Sequence, residues 1–155
     1  MMVAVGKAVP DLRGASTAGE IRLRELRGRS VIVYFYPKDA TPGCTREAQD
    51  FRDLAKAFAK CHAIVLGVSR DSLTSHDKFR EKQQLGFALV SDPDETWCRA
   101  FDVIHEKVLY GRRFMGVVRS TFLIGADGKL LREWRGVKVP GHAQAVLDVV
   151  ETTCA

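Results

Sequence analysis

The sequence predicts a mixed α/β fold, a central sheet flanked by helices, on three observations. Runs of β-branched and aromatic residues at 31–36, 62–69 and 87–92 alternate with helical stretches at 44–60, 72–85 and 94–101. The first of these strands, Val31 to Tyr36, shows no polar alternation, which suits a strand covered on both faces. Two further strands, 117–124 and 129–134, flank "GADG", whose Asp127-Gly128 is a strong hairpin signal, and a last helix follows them.

Taken in order, residues 2–30 read as an opening segment of short strands and turns. Within it "IRLRELRGR" alternates Ile21 and Leu23 with arginine, the pattern of a solvated strand face. Arg22, Arg24, Arg27 and Arg29 have no aromatic residues among them, so a nucleic-acid surface is not expected. Pro37 ends the strand 31–36. After "KDATPG", residues Cys44, Ala48, Phe51, Ala55 and Phe58 fall at relative positions 0, 4, 7, 11 and 14, one face of a helix expected to persist to about Lys60. "HAIVLGVS" is a second buried strand, and "SLTSHDKFREKQQL" a polar helix with a hydroxyl cap at its start. "FALVSD" and "DETWCRAF" give a third strand and a short helix. "YGRRFMG" and "GADGK" read as turns, since neither has the glycine spacing of a phosphate loop. Beyond Pro140, Ala143, Val146, Leu147 and Val150 form the stripe of the final helix.

At 155 residues and 46% hydrophobic content, one domain spanning 1–155 with a substantial core is expected. There is no transmembrane run, and Lys7 interrupts the start too early for a signal peptide, so a cytoplasmic protein without membrane attachment is expected. Twenty-four basic residues against 19 acidic ones give a net charge of +5, spread along the chain. The cysteines at 44, 61, 98 and 154 show no C-x-x-C and no zinc spacing, which argues against both a disulfide scaffold and a metal site. His62, His76, His105 and His142 are equally scattered, which supports neither a metal centre nor a cysteine–histidine hydrolase.

Cys44 is the candidate nucleophile. It falls on the first turn of its helix, where backbone N–H groups lack intrahelical partners and the dipole is positive, a setting that favours thiolate over thiol. A small apolar residue on a buried stripe would look the same in periodicity. Two neighbours separate the readings: Pro37 and Thr41 complete P-x-x-x-T-x-x-C, placing a hydroxyl on the loop that cradles the thiol. On this motif the chain resembles the peroxiredoxins, and "YFYPKDATPGCTREAQDFRD" resembles their Q-type branch, the bacterioferritin comigratory proteins. "VGKAVPDL" and "RSTFLI" are similar to that family's opening and late-strand segments.

The resemblance implies a thioredoxin-like fold and a thiol-dependent peroxidase. Its Cys44 would reduce hydrogen peroxide and organic hydroperoxides and cycle through a sulfenic acid, with no cofactor. It further implies that Thr41, the first-turn N–H groups and Arg119 act as donors around the peroxide, with Pro37 shielding the pocket. Arg119 is also conspicuous in itself. It lies inside the apolar run "VVRSTFLI", where a buried guanidinium must meet an anion or else face solvent.

The positions at which many Q-type members carry a resolving cysteine are Gln49 and Arg80 in this chain. Cys61 lies 17 residues of helix from Cys44, about 25 Å at 1.5 Å per residue, too far to pair with it. Cys154 sits in "TTCA", without the Val-Cys-Pro setting of terminal resolving cysteines. A one-cysteine cycle resolved by thioredoxin, glutaredoxin or glutathione is therefore expected, in a monomer or weak dimer, with Cys98 as the alternative internal partner. Two rival classes differ at single features. A disulfide oxidoreductase needs a second cysteine where Glu47 stands, and a holdase or binding module needs an exposed apolar stretch.

Overall fold

A computed structural model describes residues 2–154. The β-branched and aromatic run forms strand β3, Ser30–Phe35, at the centre of the molecule, and its two faces are both dry. Val31, Val33 and Phe35 point to one side and Ile32, Tyr34 and Tyr36 to the other, each into its own apolar cluster. With nothing to solvate on either face, the strand has no reason to alternate.

Strands β1 (Arg13–Ser16), β2 (Gly19–Arg22), β4 (Ala63–Ser69), β5 (Ala88–Ser91), β8 (Ser120–Ile124) and β9 (Leu130–Arg135) complete a seven-stranded sheet ordered β2-β1-β5-β4-β3-β8-β9. The β3, β4 and β5 strands are parallel, as crossover helices require, while β8 runs antiparallel beside β3 and β9 antiparallel beside β8. The expected mixed sheet flanked by helices is what the chain forms. Gly67 of β4 is paired with Tyr34, and a Cβ there would lie 3.0 Å from the tyrosine ring and 2.7 Å from Leu89. Its absence lets Tyr34 lie back over β4 and stack on Phe51, with ring centroids 4.7 Å apart.

Helices α1 (Pro42–Asp53), α2 (Ala55–Lys60), α3 (Leu73–Gln83) and α5 (His142–Cys154) supply the cluster on the Tyr34 face. The short α4 (Thr96–Ala100) packs Trp97 and Cys98 into the other. The Ser72 hydroxyl accepts from the Ser75 N–H and caps α3, as the sequence predicts.

Four expectations are corrected. The Cys44 helix does not run unbroken to Lys60, because at Leu54 the N–H turns to the Phe51 carbonyl and the chain restarts as α2. "IRLRELRGR" is a strand only as far as Arg22. From Leu23 to Leu26 it is a 3₁₀ turn that buries Leu23, and Arg22 pairs with Asp11. "YGRRFMG" is not only a turn: β6 (Ile104–Leu109) and β7 (Arg112–Val117) form a separate two-stranded sheet around Tyr110-Gly111, both with positive φ. The run 117–124 is likewise not one strand, since it breaks at Val118 and Arg119 between β7 and β8.

Candidate active site

The loop from Pro37 to Thr41 leaves the carboxyl end of β3 and enters α1 with Pro at its first position. The Thr41 carbonyl accepts from the Thr45 N–H at 2.8 Å, but its hydroxyl donates back to the Lys38 carbonyl at 2.8 Å instead of capping the helix. The N–H groups of Gly43 and Cys44 therefore find no partner within the helix. Cys44 lies 2% exposed at this end of α1, on the Tyr34 face of the sheet.

Antiparallel pairing of β8 with β3 sets Ser120 opposite Phe35, so the preceding residue, Arg119, emerges beyond the carboxyl end of β3, where α1 begins. Its Nη2 donates to Cys44 Sγ at 3.3 Å and its Nη1 to Glu47 Oε1 at 2.7 Å. The guanidinium thus turns to acidic partners, a thiol and a carboxyl, and away from solvent, the first of the two alternatives posed by its apolar neighbours. Gly43 allows the approach, because a Cβ there would stand 3.3 Å from Nη2.

Glu47 is the residue the sequence reading passed over, treating it only as the place where a second cysteine is missing. It is 1% exposed, and burial pushes its carboxyl up to about 7 against the opposing pull of Arg119. A carboxyl that resists ionisation does not fully neutralise the guanidinium, which leaves positive charge facing the sulfur. Its Oε2 and the Tyr34 hydroxyl are the two buried polar side-chain atoms without a hydrogen-bond partner among the described residues. The available signal was a charged residue three positions after Cys44, on the same inward face of the helix.

The other cysteines have separate settings. Cys98 is fully buried on the opposite side of the sheet, in the cluster with Trp97 and Phe101. Burial and then the Asp92 carboxylate, which accepts from its N–H at 2.8 Å, push its thiol far above the ordinary range. Cys61 and Cys154 form a disulfide with Cα atoms 5.3 Å apart, which corrects the expectation of no disulfide. Spacing hid it because the partners are 93 residues apart and meet only when α5 returns across α1 and α2. Asp39, Asp71 and His76 are the one group spaced to hold a metal among the described residues, and they already bond one another and their neighbours. No helix among the described residues is long and apolar enough to cross a membrane.

Fold and site together define a class: an α/β protein of thioredoxin-like architecture with a buried thiol at a helix N-terminus, faced by a guanidinium. Residues 5–132 match the model of the AhpC/TSA family. The chain is 56% identical over 129 residues to peroxiredoxin Bcp of Xanthomonas campestris, covering 83% of this chain and 81% of that one. It is 44% identical over 152 residues to peroxiredoxin Bcp of Bacillus subtilis, covering 97% of each. A solved structure of Xanthomonas campestris peroxiredoxin Q superposes with a TM-score of 0.91 at 48% identity, covering 99% of this chain and 98% of that one. One of the Xylella fastidiosa protein gives 0.93 at 40% identity, covering 100% and 99%. The chain belongs to the AhpC/TSA family and, within it, to the peroxiredoxins of the Q or Bcp type.

Proposed function

We propose that this peroxiredoxin is a thiol peroxidase that reduces hydrogen peroxide and organic hydroperoxides by a one-cysteine cycle at Cys44. The observation that carries the reading is the Arg119 guanidinium 3.3 Å from the Cys44 sulfur at the start of α1. The thiolate attacks one peroxide oxygen in line with the O–O bond, and its electron pair forms the S–O bond as the O–O bond breaks. The departing oxygen takes the peroxide's proton and leaves as water or an alcohol, and Cys44 becomes a sulfenate, which takes a proton from solvent to give the sulfenic acid. Charge accumulates on the oxygens during this step. Arg119 and the free N–H groups of Gly43 and Cys44 are donors aimed at that region.

Thr41 serves differently from the sequence expectation. Its proton is committed to Lys38, so its oxygen offers lone pairs that accept the hydroperoxide's own hydrogen. Pro37, half-buried where the loop begins, restricts its path. Residues 1–155 act as one catalytic domain, which agrees with a sheet that draws strands from Arg13 to Arg135.

An external thiol then condenses with the sulfenic acid, releasing water, and a second thiol frees Cys44 from the mixed disulfide. Support for an external donor comes from the other three cysteines: Cys98 lies across the sheet, and Cys61 and Cys154 are bonded to each other. Thioredoxin, glutaredoxin and glutathione are the donors to compare. A structural study of the Xanthomonas campestris relative concerns its alkyl peroxide reduction, which favours alkyl hydroperoxides among the substrates to test. After one equivalent of peroxide, mass spectrometry is expected to find a thiol-trappable sulfenic acid on Cys44. A Cys44–Cys98 disulfide in good yield overturns the one-cysteine cycle, and the absence of peroxide consumption with every donor overturns the peroxidase.

A further inference from the structure

The loop that carries Thr41 toward Cys44 is held by a buried polar cluster outside the reacting groups. Asp39, midway between Pro37 and Thr41, is 6% exposed, and its carboxylate has three partners. The Tyr36 hydroxyl, at the end of β3, donates to Oδ1 at 2.5 Å. The Ser75 hydroxyl and His76 Nδ1, both from α3, lie 2.8 and 2.7 Å from Oδ2. The backbone N–H of the same residue donates to Asp71 Oδ2 at 2.9 Å, and Asp71 is itself held by the Ser69 hydroxyl at the end of β4.

His76 is 0% exposed, and its far nitrogen lies 2.9 Å from the Val90 carbonyl of β5. A carbonyl only accepts, so Nε2 carries a hydrogen, and the hydrogen between Nδ1 and Oδ2 joins ring and carboxyl. Burial raises the Asp39 carboxyl, but the bonds from His76 and Tyr36 outweigh it and leave it below its ordinary range. One residue further along, Ala40 adopts φ +63°, a left-handed conformation that a side-chain-bearing residue holds only when its neighbours impose it.

We infer that Asp39 and His76 are positioning residues for the peroxide reaction, a clamp that ties the Pro37–Thr41 loop to α3 and to the carboxyl ends of three strands. The inference rests on the peroxidase reading. The clamp does not touch Cys44 or Arg119. It sets where Thr41 and the start of α1 stand relative to them, and so governs how well a peroxide is aligned, while the thiolate and its guanidinium stay as they are. The clamp also anchors the first turn of α3, and Gln83, at the other end of that helix, is bonded by Gln49 and Arg52 of α1. α3 is thereby tied at both ends.

The test separates alignment from nucleophilicity. For Asp39→Asn, the second-order rate constant of Cys44 with hydrogen peroxide is expected to fall about 10- to 100-fold, the cost of a displaced reacting group. Alkylation by iodoacetamide, which needs the thiolate but no aligned peroxide, is expected to change by less than about twofold. Equal losses in both reactions, or none in either, overturn the inference. Should Asp39→Asn fail to fold, Ser75→Ala decides, because it removes one bond to Asp39 and leaves the Asp39–His76 pair intact. A roughly threefold fall with peroxide alone is expected; a rate equal to wild type overturns the clamp. Wild-type protein that consumes no peroxide overturns the proposed function and the clamp together, whereas an active wild type with equal losses, or none, in the variants overturns the clamp alone.

Discussion

Cys44 and Cys98 are both almost wholly withdrawn from water, on opposite faces of the same sheet, yet the charged groups beside them differ in sign. Each lies in the first turn of a helix. At the start of α4 the two oxygens of Asp92, three residues before the N-cap Glu95, accept from the Trp97 and Cys98 N–H groups, so the positive end of that helix is already satisfied and a negative charge lies beside the thiol. The start of α1 lacks such an acceptor: the Thr41 hydroxyl turns away to Lys38, and a guanidinium faces the sulfur in place of a carboxylate. Burial is common to both sites. The sign of the nearest charge and the vacancy of the helix end distinguish a nucleophile from a packing residue.

The largest test of this contrast is exchange of each sulfur for oxygen. Cys44→Ser is expected to abolish peroxide consumption, whereas Cys98→Ser is expected to retain the wild-type rate, both read in a coupled peroxidase assay. Equal loss in the two variants would break the comparison. Arg119→Ala should come next, with a fall of about 10²–10³-fold in the stopped-flow rate of Cys44 with peroxide, the usual cost of one preorganised donor. A loss of only a few-fold would shift the weight onto the helix N-terminus.

The disulfide supplies a third kind of cysteine, one that stabilises without reacting. Cys61→Ser is expected to lower the unfolding free energy in non-reducing urea by about 2–4 kcal/mol. Its peroxide rate should match wild type, and denatured unreduced wild type should titrate as two free thiols, Cys44 and Cys98. Finding four would remove the bridge.

The smallest effect belongs to Glu47, and its sign is fixed by the direction of its shift. The folded carboxyl ionises near 7 against 4.5 for the free group, so the folded state holds the proton more tightly. Relative to Glu47→Gln, wild type carries no penalty below about pH 4.5 and an increasing one as pH rises through 7, reaching at most roughly 3 kcal/mol. The difference in thermal midpoint between the two proteins should therefore grow in favour of Glu47→Gln between pH 5 and pH 8. A difference that shrinks over that range would mean that Arg119 ionises Glu47 fully and spends its charge there.

The amino-acid sequence by itself determined the features written in short spacings. A central apolar strand, a proline stop, a helix whose inward stripe runs from Cys44 through Ala48 to Phe51 and a hydroxyl cap on α3 are all set by residues a few positions apart and stand within one residue of expectation, whereas Ala55, expected on that stripe, is exposed because the helix breaks at Leu54. Only the tertiary structure decided the rest. Arg119 reads as part of one strand until the pairing of β8 with β3 shows why the chain must break to turn a guanidinium toward α1. The β6–β7 hairpin escaped notice because it enters the core only at its base, through Ile104, Gly116 and Val117, and the rest of its residues are mostly exposed, so no alternating burial pattern marks its strands. Glu47 with Arg119, Asp39 with His76 and Cys61 with Cys154 join residues 72, 37 and 93 positions apart. Local propensity carries no information about such pairs, because their contacts come into being only once the order of strands in the sheet has placed the helices beside one another.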